Sequence, residues 1–387
     1  MNDRPLLNRR LNGMGTTIFA EMSALAARTG AINLGQGFPD TDGPEQVREA
    51  AVRALRDGRG SQYTPGRGVP ELRQAVAEHQ RRFRGLEYDP DTEVLVTAGA
   101  TEGVAAALLA LLEPGDEVIA FEPYYDSYAA NIAMAGATRV PVTLTAPDFR
   151  PDIDALRDAV TDRTRLLLIN SPHNPTGTVL TEREAADIAA LAIERDLLVV
   201  TDEVYEHLVF EGHHIPLASL PGMRERTVSV SSAGKTFSFT GWKVGWVTAP
   251  PELLAAVLTA KQYLTFVSGG PLQYAAAEAL ALPDDYFTGL VADLRGKRDL
   301  LTSGLTSAGF LAHQPQGTYF VSADITPLGE DDGAAFCRAL PQRCGVVAVP
   351  NVVFYDDKAA GRALIRFAFC KDTTILTEAV ERLHRLG

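Results

Sequence analysis

The sequence is poor in cysteine and has no long apolar run. Its 387 residues include three cysteines, Cys337, Cys344 and Cys370. Their odd number and their spacing suit neither a disulfide framework nor a zinc site. The longest apolar stretch, Val104 to Leu112, is far too short to cross a bilayer. We therefore expect reduced thiols and no association with a membrane.

Positive charge is also scarce. Lys and Arg number 36 against 49 Asp and Glu, and the formal net charge of −13 disfavours a nucleic-acid partner. The segment Met1–Pro5 lacks the apolar run of a signal peptide, so we expect a cytoplasmic protein. With 46% hydrophobic and 22% charged residues, the composition is that of a globular protein.

Short apolar runs alternate with longer amphipathic segments. Most of the runs are apolar throughout, as expected for strands covered on both faces, and the alternation predicts an α/β domain with a mostly parallel sheet. The predicted strands are Val94–Thr97, Glu117–Phe121, Arg139–Leu144, Arg165–Asn170, Leu197–Asp202, Thr227–Ser231 and Gly245–Thr248. The predicted helices between them are Thr101–Leu112, Tyr125–Ala135, Ile153–Val160, Thr181–Arg195 and Pro251–Tyr263.

The pattern changes towards the C-terminus. Helices are predicted over Leu290–Ala308 and Thr374–Leu386, and strands over Gly317–Ala323 and Leu364–Phe369. This order of elements is typical of an α+β arrangement and predicts a second, smaller domain.

Polar residues follow several of the predicted strands, at the edge where open α/β sheets bind ligands. Asp202 ends an apolar strand and needs a cationic or hydrogen-bonding partner, which a ligand, a helix cap or a structural ion pair could supply. Lys235 follows a run of small residues, where burial can tune a lysine for covalent chemistry, although a lone lysine is usually a surface group. Asn174 lies in a proline-rich turn, and Gly99 leads into a helix start that can bind phosphate.

Seven segments occur in a fixed order: NLGQGFPD, QYTPG, EPYYDSY, NSPHNPTG, DEVYEHL, SSAGKTFSFTGWKVGW and IRFAFCK. Together they resemble the class I/II aminotransferases of the aspartate aminotransferase fold type, from about Gly15 to the C-terminus. Within that family the chain is most similar to actinobacterial N-succinyldiaminopimelate aminotransferases and to the kynurenine and methionine aminotransferase branch.

The resemblance implies the pyridoxal-phosphate (PLP)-dependent transferase fold type I. A large α/β domain, residues 43–284, would hold a mostly parallel seven-stranded sheet between helices. Residues 1–42 and 285–387 would form the smaller α+β domain, an N-terminal arm plus a C-terminal segment. A homodimer is implied as well.

The resemblance also implies a cofactor site and no metal. Lys235 would hold pyridoxal 5′-phosphate as a Schiff base and move the substrate proton, and Asp202 would pair with the pyridine nitrogen. Tyr205 and Asn174 would bind the phenolic oxygen, and Tyr125 would stack on the ring. The phosphate would be held by Ala100, Thr101, Ser232, Lys243 and, from the neighbouring subunit, Tyr63.

On the substrate side, Arg366 would bind the α-carboxylate through two parallel hydrogen bonds. Gly37 and Asn174 would also lie against the substrate, and a side chain at Gly37 would obstruct it. Phe19 stands where some relatives have tryptophan, and Lys243 stands where aspartate aminotransferases have arginine.

The implied reaction is ping-pong transfer of an amino group between an amino acid and a keto acid. N-succinyl-LL-diaminopimelate with 2-oxoglutarate, a step of lysine biosynthesis, is the first expectation. A broad methionine, glutamine or aromatic (kynurenine-type) aminotransferase and a cysteine-conjugate carbon–sulfur β-lyase are the alternatives.

Overall fold

The computed structural model describes residues 6–12, 14–15 and 17–386. Residues 1–5, 13, 16 and 387, which belong to the predicted small domain, lie outside the described residues. None of the helices in the described part of the chain is long and apolar enough to cross a membrane.

The helices and strands are numbered in chain order. The helices are α1 (Ile18–Thr29), α2 (Glu45–Arg56), α3 (Pro70–Arg84), α4 (Gly99–Leu111), α5 (Asp126–Ala135), α6 (Ile153–Asp158), α7 (Glu182–Glu194), α8 (Ala233–Thr236), α9 (Pro251–Gln262), α10 (Gly270–Leu280), α11 (Asp284–Ser307), α12 (Gly333–Cys344) and α13 (Thr373–Leu383). The strands are β1 (Ile32–Asn33), β2 (Val94–Thr97), β3 (Glu117–Glu122), β4 (Thr138–Thr143), β5 (Thr164–Asn170), β6 (Leu198–Asp202), β7 (Thr227–Ser232), β8 (Gly245–Thr248), β9 (Leu311–His313), β10 (Phe320–Asp324), β11 (Val346–Val347), β12 (Val349–Pro350) and β13 (Leu364–Ala368).

The central sheet has seven strands in the order β2-β8-β7-β6-β5-β3-β4. Strand β8 runs antiparallel to both of its neighbours, and the other pairs are parallel. All seven strands predicted for this region are confirmed, with ends that agree to within one residue. The sheet is therefore mostly parallel, as predicted.

Strand β5 explains why these strands are apolar throughout. Leu166 and Leu168 belong to the core formed with α4, α5 and α9, whereas Leu167 and Ile169 belong to the core formed with α6 and α7. Successive side chains of a strand point to opposite faces, so a sheet covered by helices on both sides buries both sets of side chains along the middle of the strand. All four side chains are at most 2% exposed.

The chain ends pack together beside this sheet. Strands β12, β13, β10 and β9 form an antiparallel sheet in that order, and β1 pairs in parallel with β11. Met22 of α1 shares one apolar core with Leu301 of α11 and Leu340 of α12. These contacts support a small domain built from both ends of the chain. The boundaries at residues 42/43 and 284/285 stay a prediction.

Some predicted boundaries were wrong. Strand β10 begins at Phe320 rather than Gly317, because Thr318 has a φ of 66° and Gly317 forms only an isolated bridge to Val209. Helix α11 begins at Asp284 rather than Leu290. Helices α1, α2, α3, α8, α10 and α12 were not predicted. Helix α10 begins with a Gly-Pro pair and α12 contains a proline, and both features usually indicate turns.

Two glycines of α11 provide a matched test of this packing. A Cβ on Gly304 would lie 2.4 Å from the side chain of Val380 on α13, whereas a Cβ on Gly296 would meet nothing within 4 Å. We expect Gly304→Ala to lower the free energy of unfolding by about 1–3 kcal/mol through overpacking. Gly296→Ala should raise it by about 0.5–1 kcal/mol because alanine favours the helix. Urea unfolding measures both changes, and equal effects would contradict the close approach of α11 and α13.

Candidate active site

A cavity of about 250 Å³ opens at the carboxyl ends of β5, β6 and β7. Apart from Tyr63, every sequence-predicted site residue lines it. These residues are Phe19, Gly37, Ala100, Thr101, Tyr125, Asn174, Asp202, Tyr205, Ser232, Lys235, Lys243 and Arg366. Tyr63 is 83% exposed and does not line the cavity.

The parallel register of the sheet brings the first of these groups together. Asn170 at the end of β5 pairs with Asp202 at the end of β6, and Asn170 Nδ2 donates a hydrogen bond of 2.8 Å to the backbone oxygen of Asp202. Asn170 Oδ1 in turn accepts a 2.7 Å hydrogen bond from the backbone N–H of Asn174. Asn170 is not among the predicted site residues, yet it fixes the turn that carries Asn174.

Asp202 is a buried carboxylate at the floor of the cavity. Its Oδ2 accepts a hydrogen bond of 2.6 Å from the hydroxyl of Tyr128, and its Oδ1 accepts one of 3.3 Å from the backbone N–H of Val204. Burial raises the pKa of Asp202 above its ordinary value, and these two donors oppose that rise. Tyr128 is also absent from the predicted site residues. Its position three residues after Tyr125 in a predicted helix could have indicated it, because residues at that spacing share a face.

Lys235 lies in α8, the short helix that follows β7. Its Nζ is 5.7 Å from the ring centre of Tyr205 and 5.8 Å from that of Tyr319. Burial lowers the pKa of Lys235 to about 8, and repulsion from Arg366 and Lys243 acts in the same direction. About a tenth of the amine is therefore neutral at pH 7, far more than for an ordinary lysine, and the neutral amine is the nucleophilic form.

The start of α4 forms a positively polarised rim. Gly99 has a φ of +74°, and an added Cβ there would lie 3.1 Å from Lys243 Nζ. A Cβ on Gly245 of β8 would lie 2.5 Å from the backbone of Gly99, so the two backbones touch. The first amide N–H groups of a helix lack helical partners and attract anions. With the Lys243 ammonium beside them, Ala100 and Thr101 form a cradle suited to a phosphate.

Arg366, on β13, is 1% exposed. Its two terminal nitrogens donate to Asn174 Oδ1 at 3.1 Å and to the backbone oxygen of Gly35 at 3.0 Å. Both acceptors are neutral oxygens, so these contacts leave the positive charge uncompensated. Among the residues described, Nε has no hydrogen-bond partner. Burial lowers the pKa of Arg366 to about 10, which leaves the guanidinium charged at neutral pH.

Aromatic rings surround this guanidinium. Its central carbon lies 4.0 Å from the ring centre of Phe320 and 5.2 Å from those of Phe19 and Phe354. Guanidinium groups stack favourably on aromatic faces, so the rings hold Arg366 in place without neutralising it. Phe320 and Gln36 line the cavity as well, and neither is among the predicted site residues. Gln36 Nε2 donates to the backbone oxygen of Phe19 at 3.1 Å.

Gly37 lies where backbone and rings meet. The Tyr319 hydroxyl donates a 2.6 Å hydrogen bond to its backbone oxygen. An added Cβ would lie 2.4 Å from the Phe320 ring. Phe320 thus gives one physical reason for glycine at this position, and the predicted obstruction of a substrate stays a prediction.

All three cysteines are free and buried. Cys370 follows β13 and lies close enough to Lys235 and Arg366 for its charge state to influence theirs. Burial raises the pKa of Cys370 to about 11, so its thiol is protonated at neutral pH.

Outside the cavity, His79, Glu206 and His207 bring three potential metal ligands within 4.8 Å of one another. The two Nε2 atoms are 2.7 Å apart and share a hydrogen bond. The Glu206 carboxylate accepts hydrogen bonds from Arg84 Nε at 3.1 Å and from Ser231 Oγ at 2.9 Å. Burial lowers the pKa of His79 to about 4, so this ring is neutral at pH 7. These hydrogen bonds tie α3 to the segment after β6, and His79 Nδ1 is buried without a partner among the described residues.

Comparison with known proteins identifies the family. The family model described as aminotransferase class I and II matches residues 29–383. The chain is 54% identical to a probable N-succinyldiaminopimelate aminotransferase of Mycobacterium tuberculosis over 98% of both chains. It is 41% identical to the methionine aminotransferase of Escherichia coli over the full length of both.

Solved structures agree. The structure of N-succinyldiaminopimelate aminotransferase from Mycobacterium tuberculosis matches with a TM-score of 0.96 over 98% of this chain and 100% of that chain, at 54% identity. The structure of YbdL from Escherichia coli, whose description identifies a methionine aminotransferase function, matches with a TM-score of 0.94 over 98% and 100%, at 41% identity. The chain belongs to the class I and II aminotransferases, and the predicted fold type I is confirmed.

The unneutralised charge of Arg366 generates a prediction. Arg366→Lys keeps a cation but loses the planar pair of donors, so we expect the KM for both the amino acid and the keto acid to rise about 10- to 100-fold. Steady-state kinetics with each substrate varied measures this. Arg338→Lys, which changes an exposed arginine paired with Glu21, serves as the control and should leave both KM values unaltered. Unaltered KM values in the Arg366 variant would remove its assigned role.

Proposed function

We propose that the chain uses pyridoxal 5′-phosphate to transfer an amino group between N-succinyl-LL-diaminopimelate and 2-oxoglutarate in a ping-pong reaction. The observation that carries the proposal is the combination, in one cavity, of Lys235, Asp202, the α4 cradle and Arg366. A lysine of lowered pKa, a buried anion, a phosphate cradle and a free guanidinium together match the separate parts of this cofactor and of an α-carboxylate.

The residues present fit the cofactor. The start of α4 with Lys243 and Ser232 suits a phosphate, and Asp202 suits a protonated pyridine nitrogen, because a buried carboxylate needs a cationic partner. Tyr125, on one wall of the cavity, offers a ring face. Burial raises the pKa of Tyr205 well above its ordinary value, so its hydroxyl stays protonated and able to donate to the phenolic oxygen.

When bound, the cofactor supplies an aldehyde and an electron-withdrawing ring that acidifies the substrate α-proton. Lys235 Nζ would hold the aldehyde covalently. When free, the same amine would take the α-proton, a role that its lowered pKa favours because part of the amine is neutral near neutral pH. Arg366 and Asn174 hold the carboxylate end, and the aromatic wall keeps bulk water away from the reacting atoms.

The substrate proposal rests on the relative that shares 54% identity with this chain. A second candidate is a broad aminotransferase for methionine or aromatic amino acids. Phe19 and Phe320 favour it, since both rings line the cavity and offer an apolar surface to a substrate side chain. The methionine aminotransferase of Escherichia coli, at 41% identity, also favours it.

A panel of acceptors with glutamate as donor separates the candidates. We expect kcat/KM for N-succinyl-2-amino-6-oxopimelate to exceed that for the keto acids of methionine, phenylalanine and kynurenine by about tenfold or more, because the relative that shares 54% identity with this chain is named for that substrate. The rate of 2-oxoglutarate formation measures each. A higher value for a methionine or aromatic keto acid would favour the second candidate. Pyruvate and ammonia released from a cysteine conjugate without any keto acid would identify a β-lyase instead.

We further propose a cytoplasmic homodimer in which Tyr63 reaches the phosphate of the neighbouring subunit. Tyr63, Tyr263, Leu264 and Phe266 expose large apolar side chains, and the Tyr63 and Phe266 ring centres are 5.6 Å apart. A patch of this kind is typical of an interface, and two-fold dimers are the commonest soluble assembly. The buried free thiols support a reducing compartment.

The patch is tied to the cofactor cradle. Thr265 Oγ1 donates a 2.6 Å hydrogen bond to Glu102, in the first turn of α4, and Glu102 also accepts one from the backbone N–H of Ala98. Lys261 Nζ donates to the backbone oxygen of Gly66 at 3.0 Å, which joins the segment around Phe266 to the loop that carries Tyr63. These hydrogen bonds show that the exposed patch lies close to the cofactor cradle of its own subunit. In a two-fold dimer formed through this patch, Tyr63 would therefore lie close to the cradle of the other subunit.

Mixing two inactive variants tests both Lys235 and Tyr63. Lys235→Ala should abolish transamination and the visible absorbance of bound cofactor, and Tyr63→Ala should lose most activity through weaker phosphate binding. An equal mixture, unfolded and refolded together, should recover about a quarter of the wild-type activity, because half the dimers are mixed and each has one intact site. No recovery would refute the shared site, and retained cofactor colour with activity in Lys235→Ala would refute the role of Lys235.

A further inference from the structure

Tyr128 contacts the carboxylate on which the proposed cofactor site depends. It lies on α5, one turn after Tyr125, is 3% exposed and lines the cavity. Its hydroxyl lies 2.6 Å from Asp202 Oδ2. Phenylalanine would fill nearly the same volume as Tyr128, so packing alone does not require the hydroxyl at this position.

The hydrogen bond from Tyr128 stabilises the negative charge of Asp202 as well as its orientation. Burial raises the pKa of Asp202, which means that the ionised form is costly unless donors stabilise it. Burial also raises the pKa of Tyr128 well above its ordinary value, so its proton stays on the hydroxyl at neutral pH. The titratable groups that face Asp202 from the packed elements are Tyr125, Tyr128, Glu203, Tyr205 and Lys235. Of these, Tyr128 makes the side-chain hydrogen bond that favours the carboxylate.

We propose that Tyr128 is a positioning residue, which keeps Asp202 ionised and turned so that its remaining lone pairs meet the pyridine nitrogen of the cofactor. The inference rests on the proposed function. Two donors hold the carboxylate: the Tyr128 hydroxyl fixes Oδ2 from α5, and the Val204 N–H fixes Oδ1 from the chain after β6. The carboxylate thus cannot rotate freely, and each oxygen keeps a lone pair for a further donor.

The proposal has a pH signature with a definite sign. A carboxylate is ionised above its pKa, so cofactor affinity that depends on ionised Asp202 falls as pH drops through that pKa. Removing the Tyr128 hydroxyl removes a contact that lowers the pKa, so the loss of affinity must begin at a higher pH. Well above both pKa values Asp202 is ionised with or without the hydroxyl, so the difference in affinity narrows to the pH-independent part that comes from its orientation. A purely structural role for Tyr128 would weaken binding by the same factor at every pH.

The experiment measures the dissociation constant of pyridoxal phosphate from the cofactor-stripped full-length protein between pH 5.5 and 9, by absorbance and by tryptophan fluorescence. For Tyr128→Phe we expect about a tenfold weaker affinity at the acid end, from one lost hydrogen bond to a charged group, and a clearly smaller difference at the alkaline end. Protonation of Lys235 weakens binding at acid pH in both proteins, so the ratio of the two constants isolates the effect of Tyr128.

Two controls locate the effect. Tyr124→Phe removes the hydroxyl of a neighbouring buried tyrosine that faces Asp356 rather than the cavity, and its pH curve should follow that of the wild type. In an Asp202→Asn background, adding Tyr128→Phe should give a ratio of constants that does not change with pH, because the group that titrates is gone.

Several results would contradict the proposed role of Tyr128. A constant ratio across pH for Tyr128→Phe, or the same pH-dependent loss in the Asp202→Asn background, would overturn the proposal. If Tyr128→Phe does not fold, 3-fluorotyrosine placed at the same position gives a stronger donor of nearly equal size, and the loss of affinity must then move to lower pH. If the wild-type protein binds no pyridoxal phosphate and Lys235 is not labelled after borohydride reduction, the proposed function itself fails, which is a distinct result.

Discussion

The parallel pairing of β5, β6 and β7 is the constraint on which the site depends. Parallel strands end at the same edge of a sheet, so this register delivers Asn170, Asp202 and Ser232 to one place before any loop has been positioned. Because successive side chains point to opposite faces, a slip of one residue would turn Asp202 away from the cavity. The chemistry of the cavity is in this sense a consequence of the apolar core beneath it.

The charge balance of the cavity differs from that of the whole chain. The chain carries a formal charge of −13, yet three cations, Lys235, Lys243 and Arg366, surround the cavity with one carboxylate, Asp202. An anionic ligand responds to these near groups, because surface charges more than about 10 Å away are largely screened. The cavity therefore attracts ligands that carry a phosphate or a carboxylate, although the protein as a whole is acidic. The aromatic rings around Arg366 keep that field strong, since they stabilise the cation without neutralising it.

Much of the fold was predictable because burial leaves a clear pattern in the sequence. Most strands of the central sheet are covered on both faces, and their apolar runs predict the strand ends to within a residue, whereas the edge strand β4 is partly exposed. Helices α10 and α12 were missed because a Gly-Pro start and an internal proline resemble turn signals. The bend at Thr318 was missed because a positive φ at a threonine has no sequence signature.

The residues of the site also divide into those that the sequence predicts and those that it does not. Residues at strand ends and helix starts, such as Asp202, Lys235 and Ala100, could be placed at the cavity from their position in the pattern. Gln36 and Phe320 act through contacts made only when distant segments meet, so sequence order alone gave little sign of them. Asn170, at the end of β5, and Tyr128, three residues after Tyr125, had positions that could have indicated them. The roles assigned to the predicted residues by resemblance stay predictions, although their convergence on one cavity supports them.

The burial of Cys370 affects which of two neighbouring nucleophiles, its thiol or the amine of Lys235, can react. A thiolate attacks aldehydes readily, and Cys370 lies near the lysine proposed to hold one. Because burial keeps its thiol protonated, the sulfur reacts slowly with aldehydes, alkylating reagents and peroxide alike. The same burial lowers the pKa of Lys235 and so increases the population of its reactive form. A single apolar environment thus suppresses one nucleophile while activating its neighbour, since deprotonation creates charge on sulfur and removes it from nitrogen.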